Sequence, residues 1–362
     1  MGKYTAIDDP SAHFQTETYT GAGANTTVTF SGNSDLKPDL LWIKNRGASY
    51  AHFVVDSNRN ISYAQNSSNA PYLETNSTAA ENNNQNWMQS VNTDGFTTGI
   101  SEHINSTASS TFVAWAWKAN GGTTSSNGDG SITSTVQANT TAGFSIATYT
   151  GNSNNPSSIG HGLGVVPKFY IIKQRDAANA WVVYHSGLAT TDPEDYAIEL
   201  NQSAARENKT IWNDTGPTSS VINFTDHGAV NQSGQTYVAY CFAEKQGYSK
   251  FGSYVGNGNS NGPFVYTGFK PAFVMVKKSS DTGNWLMYDN KRGAFNLNDE
   301  YVYANEASAE ATSSTSGYDF LSNGFKVRNT YNDGNVDSEV YTFTAFAENP
   351  FVTSTGIPTT AR

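Results

Sequence analysis

Three stretches of this chain carry the same landmarks in the same order, and that internal repeat constrains the fold more than any other feature. Each opens on a Tyr-x-Gly turn: Tyr19-Thr20-Gly21, Tyr149-Thr150-Gly151 and Tyr254-Val255-Gly256. Each then reaches a proline that starts an apolar run ending in lysine: Pro38 to Lys44, Pro167 to Lys173 and Pro271 to Lys277. A second apolar strand follows, Tyr50 to Asp56, Ala180 to His185 and Asn284 to Asp289, and an aromatic strand closes each unit, Phe112 to Trp117, Tyr237 to Glu244 and Tyr341 to Glu348. Pro167 to Pro271 and Tyr237 to Tyr341 are both offsets of 104 residues. Several landmarks holding one offset point to duplicated units, not to chance.

Strand-length runs broken by Gly, Asn and Ser turns predict an all-β chain. We expect three tandem antiparallel β-sandwich (jelly-roll-like) repeat domains. The expected boundaries are an amino-terminal arm at 1–18, repeats at 19–118, 144–246 and 247–362 (the last with a short carboxy-terminal tail), and a Gly/Ser/Thr linker at 119–143. The tight second boundary predicts that the second and third units pair closely, with the first more independent. Proline ahead of the apolar run opens a strand without forfeiting a ladder hydrogen bond.

Charge and composition exclude several functions. A net charge of -10 without any basic run disfavours nucleic acid. No apolar stretch is long enough to predict membrane insertion, and Met1 to Asp9 lacks the apolar core of a secretory signal. Cys241 is the single cysteine, so neither an intrachain disulfide nor a cysteine metal cluster is expected. Sequons such as Asn25-Thr26-Thr27 and Asn105-Ser106-Thr107 follow from the abundance of Asn, Ser and Thr.

Catalytic patterns are missing from the sequence. There is no His-Glu-x-x-His, phosphate loop or Gly-x-Ser-x-Gly elbow. The glycine-rich stretch Gly256 to Gly262 joins two β-type segments and reads as a surface loop. His161, beside Gly160 and Gly162, reads as a turn histidine without a catalytic partner. No acidic pair recurs among the units, which argues against a glycan hydrolase, and the chain is expected not to be an enzyme. Two sets of side chains are ligand candidates. Trp181, Tyr184, Trp285 and Tyr288 could stack on sugar rings, or fill a core or an inter-unit seam. Asp333, Asn335, Asp337 and Glu339 alternate like the start of a Ca2+ loop but lack its glycine and distal glutamate; a solvated hairpin is the other reading. Asp56 to Asn60 is a weaker match, because Arg59 opposes a cation.

Gly162-Leu163-Gly164-Val165-Val166-Pro167-Lys168-Phe169-Tyr170-Ile171-Ile172-Lys173, then Trp181-Val182-Val183-Tyr184-His185, resembles a repeat of virion proteins of marine tailed phages. Phe144 to Gly151 matches the same pattern. The first unit departs from it, with Tyr50 and Phe53 around the place of the second-strand tryptophan and a longer Asn-rich insertion. The resemblance implies a bacteriophage virion structural protein, tail-fibre-like or lectin-like, carrying no catalytic residues. It implies other virion proteins as partners, a host-surface glycan as receptor and a place on the particle surface, with a homotrimer expected from class habit. A capsid decoration or cement protein is the alternative, since heptads for a fibre shaft are absent.

Overall fold

A computed structural model describes residues 5–62, 70–84, 87–106, 109–293 and 295–360. Met1 to Tyr4 of the expected arm and Thr107 of one sequon lie outside the described residues. The chain is all-β, built from antiparallel sheets.

One pairing order recurs in three sections of chain. In the first, Phe14–Thr20 pairs with Thr111–Trp117, which pairs with Leu40–Asn45, which pairs with Phe53–Asp56. In the second, the same places are taken by Phe144–Thr150, Thr236–Phe242, Phe169–Gln174 and Trp181–His185. In the third they are Ser249–Val255, Val340–Pro350, Phe269–Lys278 and Trp285–Asp289. The Tyr-x-Gly strand thus opens each sheet, the aromatic strand lies second, and the proline-led run is central. In each section a tyrosine of the opening strand stacks on the ring beside it in the closing strand: Tyr19 on Phe112, Tyr149 on Tyr237 and Tyr254 on Tyr341, with centroids 5.0–5.2 Å apart.

Successive strand residues point to opposite faces, and both faces of each main sheet are covered. The outer face packs on a small sheet of its own section, formed by Thr26–Val28 with Phe96–Thr98 and Met88–Val91, by Ser157–Gly160 with Val221–Phe224, or by Phe264–Tyr266 with Gly324–Val327 and Tyr318–Leu321. The inner faces of all three main sheets meet in one core. Its residues are layered by register. Leu40, Phe169 and Phe273 form one layer, Trp42, Ile171 and Met275 the next, and Lys44, Lys173 and Lys277 the last. The central runs are apolar at nearly every position because each is buried on both sides.

Three expectations need correction. The first section is not set apart: Trp42, Trp115 and Trp117 lie in the shared core with Trp181 and Trp285. Residues 119–143 are not merely a linker, since they hold the strands Ser125–Asn127 and Ser134–Asn139, and the latter pairs with the opening strand of the second section. Its Gly- and Ser-rich start hid the alternation that buries Ile132 and Val136. The expected arm boundary at residue 18 cuts through Phe14–Thr20, and Ile7 and Phe14 are already core residues.

Candidate functional site

The four candidate sugar-stacking aromatics are all buried, at 4% exposure or less. Trp181 and Trp285 face the shared core, whereas Tyr184 and Tyr288, three residues on, face the outer layers. Tyr184 stacks on Tyr170 with centroids 4.6 Å apart, and Tyr288 packs on Tyr318 at 4.7 Å. These rings fill the core and the seams between sections, the second of the two readings of the sequence.

The indoles also carry hydrogen bonds across the seams. Trp181 Nε1 donates to Glu74 O in the first section at 2.9 Å, and Trp285 Nε1 donates to Glu199 O in the second at 3.0 Å. Extending the register of Leu40–Asn45 places His52 opposite Lys44, where the other sections have tryptophan opposite lysine. That position, not Tyr50 or Phe53, is the counterpart of the missing tryptophan. Trp42 Nε1 donates to His52 Nδ1 at 2.8 Å, so the proton sits on Nε2, which donates to Tyr303 O in the third section at 2.9 Å. Each section reaches one neighbour, and the three contacts close a ring.

The lysines that end the apolar runs follow the same ring. Lys173 Nζ donates to Thr78 O, Lys277 Nζ to Ser203 O and Lys44 Nζ to Ala307 O, at 3.1–3.2 Å. All three side chains lie in fully buried residues. Burial lowers their pKa values to about 8 for Lys44 and Lys173 and about 7 for Lys277. Beside them, Arg175 pairs with Glu81 and Arg46 with Glu310, each with a backbone bond from the glutamate N–H to the arginine carbonyl. At the third seam Arg206 N–H makes that bond to Ser279 O, without the ion pair.

A second ring lies at the other end of the core. Asp56 pairs with Arg59 and accepts from the Tyr240 hydroxyl at 2.6 Å; Asp289 pairs with Arg292 and accepts from Trp115 Nε1 at 3.1 Å. In the second section His185 takes the aspartate's place, bonding Phe343 O at 3.0 Å. Buried carboxylates are tolerated here because each is matched by a cation and a ring donor. Asp56 to Asn60 is therefore a cross-section clamp, in which Arg59 itself supplies the positive charge beside Asp56.

The candidate Ca2+ residues are not brought together. Asn335 Oδ1 accepts from Asn257 N and its Nδ2 donates to Asn259 O. Asn231 makes the equivalent bonds to Asn152 N and Asn154 O, and Asn105 those to Ala22 N and Ala24 O. These three asparagines pin the loop that follows each Tyr-x-Gly turn. Sequence reasoning missed this role, although Asn231 and Asn335 hold the 104-residue offset. Glu339 accepts from Ser280, Asp337 is exposed, and Asp333 is buried, which raises its pKa. Among the described residues no group of three or more His, Cys, Asp or Glu gathers to hold a metal ion.

His161 is buried, accepting from Leu163 N and bonding Thr218 O through Nε2, which fits a turn histidine. Asn257, Asn259 and Asn261 form successive side-chain turns across the glycine-rich loop. At the surface, the described exposed aromatics are Phe264, Tyr266 and Phe295. No helix among the described residues is long and apolar enough to cross a membrane.

Fold and interior together define an all-β protein whose three main sheets close around one core, tied by a ring of cross-section bonds. The chain belongs to the family described as Domain of unknown function (DUF7483), whose model matches residues 9–350. No curated protein matches the chain, and no solved structure does.

Proposed function

We propose that this chain is a non-catalytic structural component of a bacteriophage particle, of tail-fibre or tail-surface type, that presents a surface to a host glycan. The observation that carries this reading is the use made of the recurring polar side chains. The lysines, the Trp181/Trp285/His52 set, the Asp–Arg pairs and the asparagines hold one section to the next or a loop to its strand. Such an interior makes a stiff body for display. The phage-like pattern around Pro167 to His185 supplies the particle context.

Microscopy of purified particles carrying a labelled chain tests the proposal, with density expected on the tail. Absence of the chain from every particle would overturn it. A capsid decoration role is the second reading, favoured by the closed three-way ring, which suits a partner of three-fold symmetry. Label over the capsid facets would select it.

A further inference from the structure

Surface aromatics matter for a glycan-presenting protein, because sugar rings stack their C–H faces on them. Tyr266 is 59% exposed and Phe264 47% exposed, two apart on one face of an edge strand. The register places Gly324 opposite Tyr266, so no cross-strand side chain covers the ring. A side chain there is barred, since a Cβ on Gly324 would meet Val265 O at 2.1 Å.

Tyr266 is also bordered by backbone. A Cβ added to Gly268 would lie 3.5 Å from the Tyr266 hydroxyl and 3.7 and 3.8 Å from adjacent ring carbons, so the hydroxyl end of the ring lies beside this glycine. Gly268 has φ +82, a conformation that suits glycine. Its N–H donates to Asn323 O and its carbonyl accepts from Phe351 N, which fixes the loop to the carboxy-terminal segment. The hydroxyl end of the tyrosine is thus set beside an anchored backbone loop, while most of the residue stays open to solvent.

That ring borders a groove of about 260 Å³, lined also by Phe351, Gln246, Glu244 and Lys250. Lys250 Nζ donates to Glu244 at 2.7 Å, so the groove holds a balanced charge pair with lone pairs and N–H groups left for hydroxyls. The exposed Gln246 adds an amide. Apolar platform, polar rim and room for a single ring are the elements of a small polar-ligand site.

We propose that the groove between Tyr266 and the Glu244–Lys250 pair binds a neutral hexopyranose unit of a surface polysaccharide. The proposal rests on the receptor-presenting reading above and names its contact site. Neutrality follows from the balanced pair in the groove and from a chain of net charge -10, which repels anionic polymers.

The test is saturation-transfer NMR on the full chain with methyl glucopyranoside, methyl galactopyranoside and methyl mannopyranoside at millimolar concentration. At least one should bind through its C–H face. Tyr266→Ala should weaken that binding about tenfold, which corresponds to losing a stacking contact of about 1.4 kcal/mol. Tyr266→Phe should retain it, and Phe295→Ala, elsewhere on the surface, should leave it unchanged. If no sugar binds the wild-type chain, or if Tyr266→Ala binds as the wild type does, the site is overturned. The particle reading fails separately, by microscopy.

Discussion

The indole of Trp181 donates its N–H to the carbonyl of Glu74, 107 residues earlier in the chain, at 2.9 Å. Trp285 to Glu199 and His52 to Tyr303 repeat that relationship around the core. Trp181→Phe keeps most of the ring but removes the indole donor that the Glu74 carbonyl shares with the Ser77 N–H, and should cost about 0.5–1.5 kcal/mol. Trp181→Ala also opens a cavity and should cost about 3–5 kcal/mol. Urea unfolding of the full chain measures both; equal midpoints for wild type and Trp181→Phe would refute the role of the bond.

Because the inner sheet faces meet in one core, the chain should unfold in a single cooperative transition. Residues 119–246 alone would expose Phe169, Ile171, Trp181 and Phe242, which the full chain buries at 5% exposure or less. That fragment should lack a cooperative melt and bind hydrophobic dyes. Calorimetry decides the matter, and a sharply melting monomeric fragment would show that the sections are self-sufficient.

The strands and their threefold recurrence were legible in the sequence because turns, prolines and aromatic runs are local signals; their pairing order was not. Nor were the faces. Trp181 and Tyr184 must point oppositely on one strand, but both faces are covered, so no alternation of apolar and polar residues marks the seam. Lys173 reads as the polar end of a strand, and its destination, Thr78, lies in a stretch with no pattern of its own. His52 escaped notice because it replaces a tryptophan by hydrogen bonding, not by likeness. Asn335 was drawn into a metal pattern because its neighbours are acidic, although its counterparts Asn105 and Asn231 have no such neighbours in sequence and make the same bonds.

That asparagine gives a direct contrast between two roles. If Asn335 pins the loop after Gly256, Asn335→Ala should remove the bonds that this buried amide makes to the Asn257 N–H and to the carbonyls of Asn259 and Asn329, and cost about 1–3 kcal/mol. The loss should be the same with Ca2+ or with chelator, and Ca2+ should not raise the wild-type melting temperature. A Ca2+-dependent rise that Asn335→Ala abolishes would restore the metal reading.

Buried lysines and histidines set the pH response. Burial holds Lys173 at about 8 in the folded chain, against about 10.4 when unfolded. Between those values the unfolded chain binds the extra proton, so this group's contribution to stability rises with pH, by at most about 1.4 kcal/mol per unit. Lys44 and Lys277 act in the same direction. Above about pH 10 the sign reverses, because buried tyrosines such as Tyr170 and Tyr254, with pKa values raised by burial, ionise more readily once unfolded. On the acid side, burial lowers His52 to about 3 and His185 to about 4. Their contributions are complete above about pH 6.5 and are lost as pH falls toward the folded values. Lys173→Met retains the aliphatic stem and removes the amine. Its urea midpoint should therefore climb less steeply than the wild type's between pH 8 and 10, by about one proton's worth of slope. Parallel curves across that window would mean that Lys173 is not held against its charge by the seam.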